Sequence, residues 1–269
     1  MLVDINAYIG HWPYRRLRGN TLKSMLERMD KFGVDKAVVA NINGIFYKDT
    51  HSANEELHSE MESNKAFIER FIPFATMNPV LPWWEHSLQV SNEEFGMRGI
   101  RLYPLYHEYD INDPRCIELV KAARDRQMPI SIPLRMIDFR QRSWLDIGEE
   151  LDLNHVASLV KEVPDAQYII LDTRQINGRK ITKESLEILK KADILFDTVR
   201  SSGVPIKGYS GESLNEFIQT YGSEKLAFGT ETPFIDYCSP FIRMAVFEEA
   251  NEEVKKKIWS GNARRMLRI

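Results

Sequence analysis

Charged side chains recur directly after the apolar runs of this sequence, where the strands of a parallel sheet are predicted to end. Arginine stays charged at all physiological pH values and binds carboxylate or phosphate groups through two parallel hydrogen bonds. The arginines and acids at these strand ends are Arg101, Arg135, Arg174 and Arg200 with Asp172, Asp197 and Glu231. Because the carboxyl ends of parallel strands meet at one edge, these residues predict a pocket for a small anionic molecule.

The same charge pattern also has a purely structural interpretation, which the sequence leaves open. Arginines and acids that face each other in an interior form internal salt bridges, since a buried charge without a partner is costly. In the ligand-binding interpretation, polar and aromatic side chains complete the substrate pocket. These predicted substrate-binding residues are Asn6, Tyr8, Trp12, Asn41 and Tyr103.

The elements that must position these side chains follow from an alternation of short apolar segments with amphipathic helical segments. Continuously apolar runs are typical of strands that are covered on both faces. The predicted strands are Leu2–Asn6, Lys36–Ala40, Phe71–Thr76, Gly99–Tyr103, Pro129–Ile132, Gln167–Leu171, Asp193–Asp197 and Lys225–Phe228. Eight strand–helix units in 269 residues predict an α/β fold, a (β/α)8 TIM barrel forming a single domain over residues 1–269.

An open, doubly wound sheet is the competing fold, and it would need a glycine-rich phosphate turn after an early strand. The turn Gly10-His11-Trp12-Pro13 is not that motif, so the barrel is favoured.

Helix ends are marked by capping residues in two places. Asn20 or Thr21 is a predicted N-cap for the helix that follows, and Asp113-Pro114 predicts a helix start with Asp as cap and Pro in the first turn. Two late helices are predicted over residues 213–221 and 252–259. The segment 135–151 is long for a strand-to-helix loop, which is typical either of a binding loop or of a surface excursion packed by its own aromatic residues.

Composition narrows the functional class. The net charge of −3 gives no basic face for nucleic acid, and no apolar run is long enough to cross a bilayer. The first residues lead straight into a strand, without the features of a signal peptide. Two cysteines without a CxxC motif indicate a reducing compartment, so a cytoplasmic location is expected. A homo-oligomer is left open.

Four segments, in the same order along the chain, resemble the amidohydrolase-related (amidohydrolase 2 type) branch of the amidohydrolase superfamily. That branch includes hydrolases and non-oxidative decarboxylases. The segments are LVDINAY, MRGIRLYP, LAFGTETP and IWSGNARRML, which resemble the family's first-strand Asp-x-His-x-His, fourth-strand, eighth-strand and C-terminal helix motifs. The resemblance implies a metal-dependent-hydrolase-like TIM barrel whose site, at the carboxyl ends of the strands, holds a divalent metal and an activated water.

The positions that match the family's metal ligands carry other residues here. They are Asn6 and Tyr8 on the first strand, Pro133 on the fifth, Asp172 on the sixth and Glu231 on the eighth. A catalytic zinc normally takes three protein ligands from His, Cys and carboxylates. We therefore expect no metal at this place and no cofactor.

A relocated metal site receives little support from the six histidines, none of which forms an i, i+4 pair with another. An oxygen-rich ligand set of Asn6, Asp172, Glu231 and His11 is the remaining alternative, and it would favour Mg, Ca or Mn.

Two functional hypotheses follow. In the first, the chain is a metal-independent, lactonase-like hydrolase that acts on a small carboxylated substrate. The predicted catalytic residues are Glu231 as general base, Asp172, and Tyr8 or His11 as proton donor, while an arginine holds the carboxylate and the oxyanion. In the second, the chain is an inactive barrel that binds an anionic metabolite or serves as a partner subunit.

Overall fold

Eight parallel strands form one sheet whose spatial order follows the chain from β1 to β8. The computed structural model describes residues 1–137, 142–172, 181–199, 214–245 and 251–269. The strands are β1 Val3–Ile9, β2 Lys36–Asn41, β3 Phe71–Met77, β4 Gly99–Leu102, β5 Ile130–Pro133, β6 Gln167–Leu171, β7 Asp193–Asp197 and β8 Leu226–Ala227. The predicted TIM barrel is thereby confirmed.

The sheet curls into a nearly closed barrel because the chain around and after β8 returns to β1. The Ile5 amide donates to the Phe228 carbonyl at 2.9 Å, and the Tyr8 amide donates to the Thr232 carbonyl at 2.8 Å. Ala7 and Thr232 also form a parallel bridge. The edge strands therefore satisfy part of each other's backbone hydrogen bonding, as closure of a barrel requires.

Helices lie between the strands, as expected for parallel strands that need crossover connections. They are α1 Leu22–Phe32, α2 Asn43–Phe46, α3 Thr50–Glu62, α4 Lys65–Arg70, α5 Trp84–Glu93, α6 Pro114–Asp125, α7 Leu153–Glu162, α8 Lys183–Lys191, α9 Leu214–Tyr221, α10 Cys238–Ala245, α11 Glu252–Lys256 and α12 Asn262–Leu267. None of the helices in the described part of the chain combines the length and the apolar character that a bilayer span requires.

The capping predictions are confirmed in detail. Thr21 is the N-cap of α1 and accepts the Ser24 amide in a capping box, and the helix ends at Gly33 with a left-handed φ of 68°. Asp113 caps α6 by accepting the Arg115 amide, and Pro114 lies in the first turn of the helix. Short polar side chains thus set these helix starts, as the sequence indicated, and the conformational freedom of glycine sets the end of α1.

Several predicted boundaries differ from the structure by one residue or more, and three of the differences are instructive. β1 continues to Ile9 rather than ending at Asn6, because pairing with β2 extends to Ile9 opposite Asn41. β8 is shorter than predicted, since the Phe228 amide turns away to the Ile258 carbonyl. The last predicted helix stops at Lys256 and continues as a π-helical turn over Lys257–Gly261.

Apolar packing divides the barrel into a lower interior and a mouth. The lower interior is filled by side chains from six strands, including Ile5, Phe74 and Leu171, packed against Met266 of α12. A separate aromatic cluster lies at the mouth, above the carboxyl ends of the strands. Its buried members are Tyr8, Trp12, Leu17, Ile42, Ile45, Tyr103, Met136, Ile137 and Phe234. The polar residues of interest lie between these two apolar layers.

Candidate active site at the carboxyl ends of the strands

Two acidic residues stand beyond strand ends in a backbone conformation that side chains with a Cβ adopt rarely. Asp172 directly follows β6 and Glu231 lies four residues after β8. Both have a φ of 58°, in the left-handed region. Asp172 is 1% exposed and Glu231 is 2% exposed, so both are buried at the mouth. Backbone strain of this kind is concentrated at functional sites.

Asn6 connects these two acids through a buried hydrogen-bond network. Its side-chain Nδ2 donates to Asp197 Oδ2 at 2.6 Å, and Asp197 also accepts the Asp172 amide at 3.2 Å. The Asn6 carbonyl accepts the Glu231 amide at 2.7 Å. The predicted substrate-binding Asn6 is itself fully buried. Its Oδ1 has no hydrogen-bond partner among the described residues.

Asp4, which the sequence interpretation did not single out, is a further buried acid of this network, beside Asp172, Asp197 and Glu231. It accepts the Asn6 amide at 2.9 Å, the Thr230 amide at 3.0 Å and the Thr230 hydroxyl at 2.5 Å. Burial raises the pKa of Asp4 from 3.8 to about 7, although these hydrogen bonds oppose the rise. An acid inside an otherwise apolar strand was the signal that could have identified it.

Arg101 crosses the interior of the barrel and is completely buried. Its guanidinium donates to the Ala7 carbonyl at 3.0 Å, the Ile5 carbonyl at 3.5 Å and Ser131 Oγ at 3.2 Å. It also lies 4.6 Å from the centre of the Tyr8 ring, in cation–π geometry. The predicted substrate-binding Arg101 therefore directs these donors at the protein's own backbone, hydroxyl and ring groups.

The two tyrosines beside Arg101 are buried in their neutral form. Burial raises the pKa of Tyr8 well above its usual range, while the Arg101 charge opposes the rise. Burial raises the pKa of Tyr103 to about 12, again against the effect of Arg101. The Tyr103 hydroxyl has no partner in hydrogen-bonding geometry among the described residues, although Arg101 and Thr76 are close enough to lower its pKa. Both predicted residues thus lie at the mouth as uncharged phenols.

Arg135, just after β5, differs from Arg101 because two of its guanidinium nitrogens find no hydrogen-bond acceptor in the described part of the chain. Its Nε lies 3.5 Å from Asp172 Oδ2, and its side chain is 11% exposed. Its Nε and one terminal nitrogen are buried and make no hydrogen bond within the described residues. A small cavity of about 10 Å³, enough for one water molecule, lies beside it and is lined by Tyr103, Tyr106 and Pro133 among others.

Trp12 anchors the aromatic cluster of the mouth rather than lining an open pocket. It is 4% exposed and makes edge-to-face contacts with Phe234 at 5.0 Å, Phe46 at 5.1 Å and Tyr106 at 5.8 Å between ring centres. Its indole nitrogen has no hydrogen-bond partner among the described residues. The predicted wall residue is therefore present at the mouth, packed mainly by apolar faces.

Asn41 and His11 lie at the rim, away from the central network. The Asn41 amide donates to the Ala53 carbonyl and to Glu56 Oε2, both at 3.0 Å, and its Oδ1 accepts the Asn43 amide. His11 is exposed, and its backbone amide donates to Asn43 Oδ1 at 2.8 Å. The structure thus uses Asn41 to fix the loop after β2.

Arg174 and Arg200, the two remaining predicted anion ligands, lie outside the described residues. The same holds for Phe139 in the long loop after β5. In the described part of that loop, Asp146 accepts a hydrogen bond at 3.0 Å from Tyr106, which follows β4, while Trp144 is 85% exposed. Within the described residues, no three His, Cys, Asp or Glu side chains are grouped as a metal site would need.

No family model matches the sequence, and no curated protein matches it. Solved structures match the fold over nearly the whole chain. A presumed amidohydrolase from Staphylococcus aureus has a TM-score of 0.74 at 12% identity, covering 100% of this chain and 99% of the other. The 2,6-dihydroxybenzoate decarboxylase from Rhizobium has a TM-score of 0.70 at 14% identity, covering 99% and 98%.

A third match adds a bound metal and ligand. The 5-carboxyvanillate decarboxylase from Novosphingobium aromaticivorans, complexed with manganese and 4-hydroxy-3-methoxy-5-nitrobenzoic acid, has a TM-score of 0.72 at 16% identity. The alignment covers 100% of this chain and 96% of that one. At these identities the likeness establishes a shared amidohydrolase-type TIM-barrel fold.

Proposed function

We propose that this barrel binds a small carboxylated anion through Arg135 and hydrolyses it without a metal ion, with Glu231 as general base. The observation that carries the proposal is the Arg135 guanidinium beside Asp172, two of whose buried nitrogens have no hydrogen-bond partner among the described residues. A buried donor left unsatisfied is costly, and a substrate carboxylate would satisfy both nitrogens in one planar contact. Two of the matched folds, whose names specify 2,6-dihydroxybenzoate and 5-carboxyvanillate, support an aromatic carboxylate as the ligand class.

The residues at the mouth do not fit the manganese of the third structural match. Arg101 already places a delocalised positive charge over Tyr8 and against the carbonyls of β1, which would repel a divalent cation. Tyr8 has a raised pKa, and Asp172 already faces the Arg135 guanidinium. We therefore regard the metal ligands implied by the family resemblance as substituted in this chain.

The proposed hydrolysis uses groups of the chain alone. Glu231 accepts a proton from water as the water oxygen attacks the ester carbonyl of the substrate, and Arg135 holds the substrate carboxylate. The carbon–oxygen bond then breaks, and the leaving oxygen takes the proton that Glu231 accepted from water, which returns Glu231 to its carboxylate form. Asp172 keeps Arg135 oriented by its charge. General base catalysis of this kind is worth roughly 10²–10⁴ in rate.

The experiment is a screen of carboxylated lactones and aryl esters, with 2,6-dihydroxybenzoate and 5-carboxyvanillate included, in chelator-containing buffer. We expect ester or lactone turnover that falls by about 100-fold or more in Glu231→Gln. Turnover that is unchanged in that variant, or that appears only with added manganese, would overturn the mechanism. Release of carbon dioxide from either acid would assign decarboxylation instead.

A binding protein without catalysis is the second candidate, and the packed mouth favours it. The aromatic cluster around Trp12 covers the strand ends, and the cavity beside Arg135, at about 10 Å³, has room for no more than one water molecule. In this case the wild-type protein would bind benzoate with its affinity dependent on Arg135, and no member of the screen would be turned over.

A further inference from the structure

The backbone on both sides of Glu231 is tied to one carboxyl group, that of Asp4. The Thr230 amide and hydroxyl both donate to Asp4, at 3.0 and 2.5 Å. The Thr230 hydroxyl oxygen in turn accepts the Thr232 amide at 3.2 Å. The residues before and after Glu231 are thereby held by a single buried hydrogen-bonded unit, which we call the Asp4–Thr230 clamp.

The clamp surrounds the one residue of this segment whose conformation is unfavourable. Glu231 has a φ of 58°, whereas its neighbours Thr230 and Thr232 are not in that region. A residue with a Cβ stays in the left-handed region only where its surroundings over-determine it. Asp4, Thr230 and Thr232, which make these hydrogen bonds, are each fully buried, so water does not compete for the bonds.

The same carboxyl also fixes the strand that faces Glu231. Asp4 accepts the Asn6 amide, and the pairing of β1 with β2 shifts register between Asp4 and Ala7. The Asn6 carbonyl released by this irregularity accepts the Glu231 amide at 2.7 Å. Asp4 thus holds both Thr230, which precedes Glu231, and Asn6, whose carbonyl accepts the Glu231 amide.

We propose that Asp4 and Thr230 are positioning residues that hold Glu231 in its left-handed conformation and so aim its carboxylate at the mouth. Neither residue contacts the proposed substrate; both act through Glu231. The assignment of Glu231 as the base rests on the proposed function, whereas the clamp itself is testable without any activity.

The first test is thermal unfolding of Thr230→Val, which keeps the side-chain shape and removes the hydroxyl, with Thr230→Ser as the conservative control. Each is made in the wild type, in Glu231→Gly and in Glu231→Ala. Glycine adopts a positive φ without steric cost, whereas alanine keeps the Cβ and loses only the carboxylate. Asp4→Ala and Asp4→Asn repeat the comparison from the other side of the clamp.

We expect Thr230→Val to lower Tm in the wild type and in Glu231→Ala alike, and by at least about 2 °C less in Glu231→Gly. Thr230→Ser should restore most of the loss. Equal losses in all three backgrounds would show that the clamp does not act on the conformation of residue 231. A reduced loss in Glu231→Ala as well would assign the coupling to charge, and either result overturns the proposal.

The second test uses any substrate found by the screen. A misdirected Glu231 predicts that Thr230→Val lowers kcat about 10-fold or more with KM unchanged, and that Thr230→Ser recovers it. A higher KM with an unchanged kcat in Thr230→Val would show that Thr230 affects substrate binding rather than the position of Glu231, and would contradict the proposal. If no substrate is turned over, the hydrolase proposal fails while the unfolding comparison still decides whether the clamp exists.

Discussion

The two described arginines at the strand ends, Arg101 and Arg135, have the same chemistry and opposite surroundings. Arg101 is fully buried and directs its guanidinium at the Ile5 and Ala7 carbonyls, Ser131 and the Tyr8 ring. Arg135 lies at the edge of the mouth, close to Asp172, with two buried nitrogens that make no hydrogen bond in the described part of the chain. The first arginine is part of the barrel's internal structure, and the second is the one through which we propose that a ligand binds.

The two arginines also differ in how they bear on the two interpretations of the charge pattern, ligand binding and internal pairing, that the sequence left open. An internal network explains Arg101, but it takes the form of hydrogen bonds to carbonyl groups rather than salt bridges to acids. Arg135, in contrast, forms an ion pair with an acid, because its Nε lies 3.5 Å from Asp172 Oδ2. Internal hydrogen bonding therefore describes Arg101, whereas Arg135 combines an internal ion pair with the buried nitrogens on which the proposed ligand binding rests.

The largest expected effect is the difference in Tm between two matched variants, Arg101→Lys and Arg135→Lys. Arg101→Lys cannot supply the planar set of donors, so buried carbonyl and hydroxyl groups lose partners at a cost of about 3 kcal/mol. We expect Tm to fall by about 6 °C or more in Arg101→Lys. Arg135→Lys keeps a charge beside Asp172, and its Tm should stay within about 2 °C of the wild type. Scanning calorimetry of both variants checks this, and equal losses would remove the distinction.

An effect of intermediate size, which depends on pH, is expected from the contribution of Asp4 to the free energy of unfolding. Its folded pKa of about 7 lies above its usual 3.8, so the folded state holds the proton more tightly and stability falls as pH rises through this interval. From pH 5 to pH 8 the loss is about 2–3 kcal/mol. The groups facing Asp4 are Asn6, Thr230, Asp197 and Tyr237.

Asp4→Asn, which resembles the protonated acid, should therefore lack most of this decline. Denaturant titrations of both proteins between pH 5 and pH 8 measure the difference. Parallel pH profiles for the wild type and Asp4→Asn would mean that Asp4 is charged at all these pH values, which would contradict a raised pKa for this carboxyl group.

The smallest effect is expected at an exposed aromatic residue. Trp144 is 85% exposed in the loop after β5, whereas Trp12 is buried in the cluster at the mouth. Trp144→Ser should change the free energy of unfolding by less than about 0.5 kcal/mol, and Trp12→Ser by several times more. A large loss on changing Trp144 would mean that this loop packs onto the protein in solution.

Local patterns predicted most of the fold. Continuous apolar runs such as Phe71–Met77 marked the strands, and Thr21 and Asp113 marked helix starts. These features depend on neighbouring residues alone. The extent of β1 was missed because its last residues are held by β2 and by Thr232, which are distant in sequence.

The site was predicted in outline only. The sequence placed Asn6, Tyr8, Asp172 and Glu231 at the strand ends, but Asn6 bonds to Asp197, 191 positions away, and that pairing exists only once the barrel closes. The inward course of Arg101 likewise depends on β1 carbonyl groups that face it across the barrel. The sequence pattern of a strand predicts on which face of the sheet a side chain lies. It does not predict which residue on the opposite side of the barrel that side chain will contact.

The most direct test of the central claim is calorimetric titration of benzoate into chelator-treated protein, for the wild type and for Arg135→Lys. We predict that the wild type binds benzoate without a metal and that added manganese leaves the affinity unchanged. Arg135→Lys should weaken binding at least 10-fold, because the planar contact with the carboxylate is lost. Binding that requires manganese, or that is equal in Arg135→Lys, would contradict the claim.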